Sequence, residues 1–137
     1  MKKVLCLIGT ILFIVMTAAG CGSKNDLADC FNEETVRAET EKAIAHFNDK
    51  NYQALIDEGN TVFIDSLSLD QWQETCDPYV DKAGSFESID SMVIAGQKGN
   101  DGRDYAVAIA VAKYSDGKIQ FSIVFDDEMK LAQFFIK

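Results

Sequence analysis

The chain carries a single histidine, His46, and this residue comes first in a search for acid–base chemistry. The helix predicted around it places the ring at the border of an apolar stripe, about 80 to 120° from the middle of that stripe. A histidine that acts as a general base needs an orienting carboxylate and a cavity. Asp49 lies one turn onward at the helix end, while Glu39 lies two turns back and too far away. The sequence therefore favours a boundary or surface histidine, and we expect no catalytic residue there.

Three consecutive carboxylates, Asp126, Asp127 and Glu128, fall in a predicted turn. Calcium prefers oxygen ligands, so such a turn could bind the ion weakly. The spacing matches no EF-hand loop, and acidic turns are usually just solvated. The sequence also contains no GxSxG elbow, phosphate-binding glycine loop, SxxK or HExxH motif. We therefore predict neither a metal site nor a cofactor.

The first 20 residues have the layout of an export signal. Lys2 and Lys3 precede an uncharged apolar run at positions 4–16, and small residues follow it. This run of 13 residues is shorter than the ~20 that a bilayer span needs. Cys21, directly after Ala-Ala-Gly, resembles the lipobox cysteine of bacterial lipoproteins. The resemblance implies a signal peptide over 1–20, a mature chain that begins at Cys21, and a diacylglycerol and acyl chain such as palmitate on that residue.

The remaining cysteines agree with export. Cys6 leaves with the leader and Cys21 is acylated, which leaves Cys30 and Cys76. Two thiols outside the cytoplasm can form one disulfide, and this one would close a loop of about 46 residues, worth about 4 kcal/mol on a chain-entropy estimate. The alternative is two unpaired thiols. We predict the disulfide, and with one histidine and no CxxC spacing we expect no structural zinc site.

Without its leader the chain is strongly acidic. Residues 21–137 make 117 residues, the size of one domain, which we place at 31–137 behind a lipidated tether at 21–30. Loss of Lys2 and Lys3 leaves 11 basic residues against 22 acidic ones, a formal charge of −11. Acidic surfaces repel phosphate backbones and anionic headgroups. We expect no nucleic-acid partner, and we expect only the lipid to touch the membrane.

Helical signals fill the first half of the domain. Asn32 can cap a helix that ends near Asp49, and Asn51 can cap a shorter one that Gly59 stops. The first helix has an apolar stripe at spacings of three and four, formed by Val36, Thr40, Ala43, Ile44 and Phe47.

A third helix has the clearest predicted start. Ser68 and Gln71 have the spacing of a capping box, and Gly84 marks the end of the helix. Asp77 before Pro78 looks like a second cap with proline at the first helical position, which predicts a break or kink there.

After Gly84 the apolar period changes to two, which predicts strands over 86–97, 105–113, 119–125 and about 130–136. Three helices followed by a four-stranded antiparallel meander predict an α+β fold with a helical layer on one sheet face. We find no internal repeat.

The connection between the second and third strands sets their register. A two-residue turn over 116–117 would set large residues of one strand against small residues of the other. A three-residue loop over 115–117, with Gly117 left-handed, shifts the register and pairs Ile109 with Ile123. All large residues then share one face. We predict this loop, with the bulky face on the helices and the face of Ala, Gln and Ser exposed or against another surface.

The order of these signals resembles a known family. The segments that carry the resemblance are Asn51-Tyr52-Gln53-Ala54-Leu55, Leu67-Ser68-Leu69-Asp70-Gln71-Trp72, Gly84-Ser85-Phe86, and the turn from Asp126 to Leu131. Over roughly residues 35–136 the chain resembles a family of unknown-function domains carried by lipoproteins of Gram-positive bacteria. That family is similar to the cone-shaped folds of nuclear transport factor and the cystatin-like group. The resemblance implies an extracytoplasmic domain, sometimes beside hydrolase domains, and supplies no agreed catalytic residues.

Cone-shaped folds can run acid–base chemistry through an Asp or Tyr in the pocket, and the resemblance makes Tyr52, Asp65 and Tyr79 candidates. The simpler interpretation is two half-buried helix tyrosines and one turn aspartate. Five aromatic residues could line a pocket for an apolar or sugar-like ligand: Tyr52, Trp72, Tyr79, Phe86 and Phe121. A domain of this size needs most of them for its core, so core is the favoured interpretation.

The sequence therefore favours a non-catalytic lipoprotein domain on the outer face of the cytoplasmic membrane that binds a protein partner or a small ligand. A small cone-fold enzyme, a hydrolase or an isomerase, is the alternative. A third hypothesis is an accessory module that positions a cell-wall or secretion enzyme.

Overall fold

The computed structural model describes residues 26–137, so the predicted leader and Cys21 lie outside the described residues. Within this described part, four helices precede four strands. The helices are α1 (Glu33–Asn48), α2 (Tyr52–Asp57), α3 (Thr61–Ile64) and α4 (Leu69–Ala83). The strands are β1 (Phe86–Lys98), β2 (Asp104–Tyr114), β3 (Gly117–Phe125) and β4 (Leu131–Ile136). The α+β class is as predicted.

The described residues contain four helices where the sequence predicted three. The extra one, α3, is a single turn capped by Asn60, whose side chain accepts a hydrogen bond from the Phe63 amide. Its β-branched residues disfavour a helix, but Phe63 is buried and anchors the turn in the core. The predicted caps Asn32 and Asn51 both accept hydrogen bonds at their helix starts.

The third predicted helix is continuous through Pro78 in the structure, so of the predicted break or kink the break is wrong. Ser68 and Gln71 form the predicted capping box of α4, and Pro78 lies inside the helix. Asp77 lies within this helix and does not begin a new one, and its Oδ1 accepts a hydrogen bond from the Tyr52 hydroxyl at 2.7 Å.

The sheet is an antiparallel meander in the order β1-β2-β3-β4. The turn between β2 and β3 contains only two residues, Ser115 and Asp116, with Tyr114 opposite Gly117. The predicted three-residue loop is therefore wrong, and Gly117 does not have a positive φ. Hydrogen bonds to the segment between α4 and β1 stabilise the two-residue turn. The Asp116 amide donates to the Ala83 carbonyl at 2.9 Å, and the Ser85 amide donates to Ser115 Oγ at 2.9 Å.

This register turns the alanine face of β2 toward the helices, opposite to the prediction. Ala110 lies opposite Phe121 and Ala108 opposite Ile123, and all four side chains are buried. The reason is space, since small residues on β2 leave room for α1 and for the aromatic rings of β3. The ring of Phe121, for example, packs edge-on against Phe47 of α1 at 5.2 Å. For β3 the prediction is confirmed, because its four large alternate residues, Ile119, Phe121, Ile123 and Phe125, are buried.

The chain enters the domain across β1. A Cβ added to Gly96 would lie 2.2 Å from the carbonyl oxygen of Asp26 and 3.0 Å from Cα of Leu27. Glycine at this position therefore lets the entering segment lie directly on the strand, and Leu27 packs against the core.

Candidate functional site

The outer face of the sheet, opposite the helices, carries a second set of apolar side chains. Val93 pairs with Ile109, and Ala95 pairs with Val107. The rows continue onto β3 and β4, where Ser122 lies opposite Phe135. We define the outer patch as Val93, Ala95, Val107, Ile109, Val111 and Phe135.

The outer patch protrudes most at its two edges. The exposed fraction is 65% for Val93 on β1 and 39% for Phe135 on β4. The other four side chains between them are half-buried. In the part of the chain that the structure describes, the helices pack on the opposite face, so their apolar residues do not cover the outer patch. Contiguous exposed apolar surface on a small domain marks an interaction site more often than a scatter of single residues does.

The charged side chains beside the outer patch neutralise one another. Lys113 Nζ lies 3.1 Å from Glu87 Oε2, and Lys118 Nζ lies 2.9 Å from Asp90 Oδ2. The first pair joins the neighbouring strands β1 and β2, and the second reaches from β3 across β2 to β1. These four residues sum to zero charge in a chain whose formal net charge is −9, so the acidic excess lies elsewhere.

The acidic turn between β3 and β4 is occupied by internal contacts. Asp126 is only 2% exposed. Its Oδ1 accepts hydrogen bonds from the amides of Glu128 at 2.9 Å and Lys130 at 3.0 Å, and its Oδ2 accepts one from Asn60 at 3.2 Å. Asp126 therefore shapes the turn and joins it to the start of α3.

The other two carboxylates of this turn have basic partners. The two oxygens of Asp127 accept hydrogen bonds from Nε and Nη2 of Arg103, which lowers the pKa of that carboxyl and raises the pKa of the arginine. Glu128 lies 3.5 Å from Lys130. Within residues 26–137 no group of three or more His, Cys, Asp or Glu is arranged to hold a metal ion. The three carboxylates considered for calcium thus have backbone amides or basic side chains of the same protein as partners.

His46 has a carboxylate partner that the sequence did not reveal. Its Nε2 lies 3.4 Å from Oε1 of Glu58, the residue after α2, because the short connection folds α2 back beside α1. Lys42 Nζ lies closer to the same oxygen, at 2.7 Å. The His46 and Glu58 side chains are 24% and 27% exposed. The arrangement orients an imidazole, but the lysine shares the carboxylate that a general base would need.

Three of the five candidate pocket residues form the core. Tyr52, Trp72 and Phe121 are completely buried, and the rings of Tyr52 and Trp72 stack at 6.2 Å. Burial, and secondly the hydrogen bond to Asp77, hold the pKa of Tyr52 far above its ordinary value, so its hydroxyl stays protonated. The core interpretation is confirmed for these three.

The remaining candidates lie at the surface. Tyr79 and Phe86 are 40% and 44% exposed, and the Phe86 ring packs against Tyr114 at 5.6 Å. Asp65 is the exposed residue that ends α3. The five aromatics therefore do not come together around one cavity, and Tyr52, Asp65 and Tyr79 do not share an environment.

The predicted disulfide between Cys30 and Cys76 is not formed in the structure. Cys30 is exposed on the turn before α1, whereas Cys76 lies on the buried side of α4. A disulfide requires Cβ atoms about 3.5–4.5 Å apart, so the exposed turn would have to move toward the core to form one.

Comparison with known proteins assigns the chain to a family. Residues 40–134 match the model of a family described as a protein of unknown function (DUF3887). The chain belongs to this family. The DUF3887 match begins within α1 and ends on β4, so it includes every residue of the outer patch except Phe135. This confirms the expected likeness to a family of unknown-function domains.

The DUF3887 domain also has a solved structural relative. The NMR structure of a protein from Ruminococcus gnavus ATCC 29149 is similar to it, with a TM-score of 0.70 and 25% sequence identity. The similarity covers 83% of this chain and 99% of that chain, so the two share their architecture over nearly all of the relative. No curated protein matches the chain. Across residues 26–137, none of the helices has the length and apolar character that crossing a membrane requires.

Proposed function

We propose that this DUF3887 protein is a lipid-anchored extracytoplasmic domain that binds a protein partner through the outer patch and is not an enzyme. One observation carries the proposal: the helices seal one face of the sheet, while the opposite face presents a neutral apolar surface. Interface centres are depleted in charge relative to the rest of a protein surface, and the outer patch has that composition.

The anchor is proposed from the leader. Lys2 and Lys3, the apolar run and Cys21 after Ala-Ala-Gly support a lipoprotein signal, and Cys21 lies five residues before Asp26. An extended tether of that length spans at most ~18 Å, which would keep the domain close to the outer surface of the cytoplasmic membrane. The cone-shaped architecture of the nuclear transport factor and cystatin-like groups belongs to the same proposal, and four helices on one sheet face support it.

Among residues 26–137 the candidate acid–base residues do not assemble into one site, which supports a binding function over catalysis. His46 shares its carboxylate with Lys42, and the hydroxyl of Tyr52 is sealed in the core. A module that positions a cell-wall or secretion enzyme is compatible with the same surface, since its partner would then be that enzyme.

Two measurements test the proposal. Mass spectrometry of the amino-terminal peptide should find Cys21 as the first residue, carrying a diacylglycerol, and Cys21→Ser should release the protein from the membrane fraction. An intact Met1 would contradict the anchor.

The second measurement tests the surface. A photo-crosslinking amino acid at Val93 should capture a protein in intact cells, while the same group at Val62 should capture little. Val62 is the matched control, because it is also 65% exposed but lies on α3. Equal capture at both positions would contradict binding through the outer patch.

A further inference from the structure

We propose that the partner of the outer patch is a second copy of this chain, in a dimer with two sheets packed face to face. This inference rests on the proposed function, because it names the occupant of the same surface. Three properties of the outer patch support it: its charge, its area and the arrangement of its protruding side chains.

Charge favours a second copy at this face over contact through other surfaces. Elsewhere two copies of a chain with formal net charge −9 repel each other. The four charged residues beside the outer patch cancel in two cross-strand pairs, Lys113 with Glu87 and Lys118 with Asp90. A neutral face selects neither an acidic nor a basic partner, and it is the place where two acidic molecules can meet without that repulsion.

The area of the face suits a weak dimer. The strands contain 13, 11, 9 and 6 residues. At about 3.4 Å per residue and about 4.8 Å between strands, they span about 640 Å². A stable interface of standard size buries about 800 Å² of accessible surface per partner, and the flat footprint of the whole sheet is smaller than that. Anchors in one membrane would raise the effective concentration of two copies and compensate for modest affinity.

The side chains are arranged so that the face complements itself. One row crosses the sheet from the β1 edge to the β4 edge and contains Val93, Ile109, Ser122 and Phe135. The two ends of this row are exposed, and Ile109 and Ser122 between them are half-buried. A two-fold axis along the strands, between Ile109 and Ser122, sets Val93 of one copy against Phe135 of the other. The protruding edges then contact each other on both sides of a shallower centre.

This geometry predicts which cysteines can form a bridge between copies. In a Cys30→Ser background of the full chain in its membranes, Val93→Cys and Phe135→Cys are made in separate, differently labelled copies. Oxidation should join the mixed copies, because the two positions face each other. Neither variant should bridge to itself, since its two copies lie at opposite edges. Val62→Cys mixed with Phe135→Cys is the matched control and should not bridge.

Sedimentation of the detergent-solubilised full chain provides a second readout. The wild type should associate to a dimer, and Val93→Glu should raise the dissociation constant by about tenfold or more, because a charge is introduced at both symmetric contacts. Val62→Glu should leave the constant unchanged. A wild type that stays monomeric, together with mixed Val93→Cys and Phe135→Cys copies that form no bridge in the membrane, would overturn the second copy as partner.

The two proposals fail differently. If Val93 captures another protein while the mixed cysteine copies form no bridge, the second-copy inference is wrong and binding through the outer patch stands. If Val93 captures nothing and no bridge forms, both are wrong. A bridge between the mixed copies, together with loss of the dimer in Val93→Glu, supports both.

Discussion

Asn60 donates a hydrogen bond to the buried carboxylate of Asp126 at 3.2 Å, across 66 residues of chain. The Asn60 side chain also caps α3, and its backbone N–H donates a hydrogen bond to the Leu131 carbonyl at 2.8 Å. One short segment thus joins the helical layer to the start of β4. Gly59 forms an isolated parallel bridge with Leu131 beside it, which gives part of the β4 edge a backbone partner.

The first prediction concerns Asp126, a residue that is only 2% exposed. Its two carboxylate oxygens accept three hydrogen bonds. Asp126→Ala removes these acceptors and leaves three partly buried donors unpaired, so the free energy of unfolding should fall by about 1–3 kcal/mol. Urea unfolding measures this. Asp65→Asn, at an exposed helix end, is the control and should change stability by less than about 0.5 kcal/mol. Equal stability of Asp126→Ala and the wild type would contradict the role given to this turn.

The second prediction tests the strand register. Ala110 is completely buried opposite Phe121, so Ala110→Leu should overpack the core and lower the free energy of unfolding by about 1–3 kcal/mol. The neighbouring substitution Ile109→Leu alters the half-buried outer face and should have a much smaller effect. If the predicted three-residue loop were correct, Ala110 would face outward and tolerate the leucine. Denaturant midpoints for the two variants distinguish the registers.

The third prediction is loss of stability in alkali. Burial raises the pKa of both Tyr105 and Tyr114 from 10.0 to about 12. The unfolded chain therefore loses these protons first as pH rises, so their contribution is complete below pH ~10 and disappears between pH ~10 and ~12. Urea unfolding from pH 9 to 12 should show this decline, and Tyr114→Phe should make it shallower. Equal pH slopes for the variant and the wild type would show that Tyr114 does not contribute.

The fourth prediction concerns the entering segment. Gly96→Val would drive Asp26 and Leu27 off β1, because even a Cβ there would lie 2.2 Å from the Asp26 carbonyl oxygen. The amide of Phe31, which donates to Ala28 at 3.0 Å, should then exchange with solvent about tenfold faster. Gly117→Ala is the control, since nothing lies within 4 Å of its added Cβ. Unchanged exchange at Phe31 would mean that the segment does not depend on this contact.

The fifth prediction concerns Cys30 and Cys76, the two cysteines within residues 26–137. With no disulfide between them, a thiol reagent should modify exposed Cys30 in the native protein, and Cys76 only after unfolding. Peptide mass spectrometry of the non-reduced protein separates the two sites. If neither residue reacts before reduction and both react afterwards, the disulfide expected from the sequence does form.

Local signals explain why most element boundaries could be predicted from the sequence. Asn32, Asn51 and Ser68 cap their helices through side chains close to their own backbone, so the neighbouring residues suffice to identify them. The strand lengths follow from the period of two. The single turn of α3 was missed because its β-branched residues disfavour a helix, although Asn60 at the cap was a usable signal.

The orientation of β2 could not be predicted in the same way. Both of its faces are apolar, so alternation defines two faces without telling which one the helices cover. The choice depends on volume, since α1 and the rings of β3 leave space only for alanine. The sequence does not reveal the outer patch for the same reason, because the predicted register places Ile109 and Val111 in the core. The contact between His46 and Glu58 depends on how α2 folds back, which residue spacing alone does not reveal.

Side-chain footprinting of the full chain in its own membranes tests the central claim, that the outer patch is covered by a partner. Hydroxyl radicals should modify Val93 and Phe135 less in the membrane than in the protein diluted in detergent, while Val62 and Ile64 on α3 should react equally in both. Protection confined to the outer patch is the result expected. Full reactivity of Val93 and Phe135 in the membrane would contradict the account.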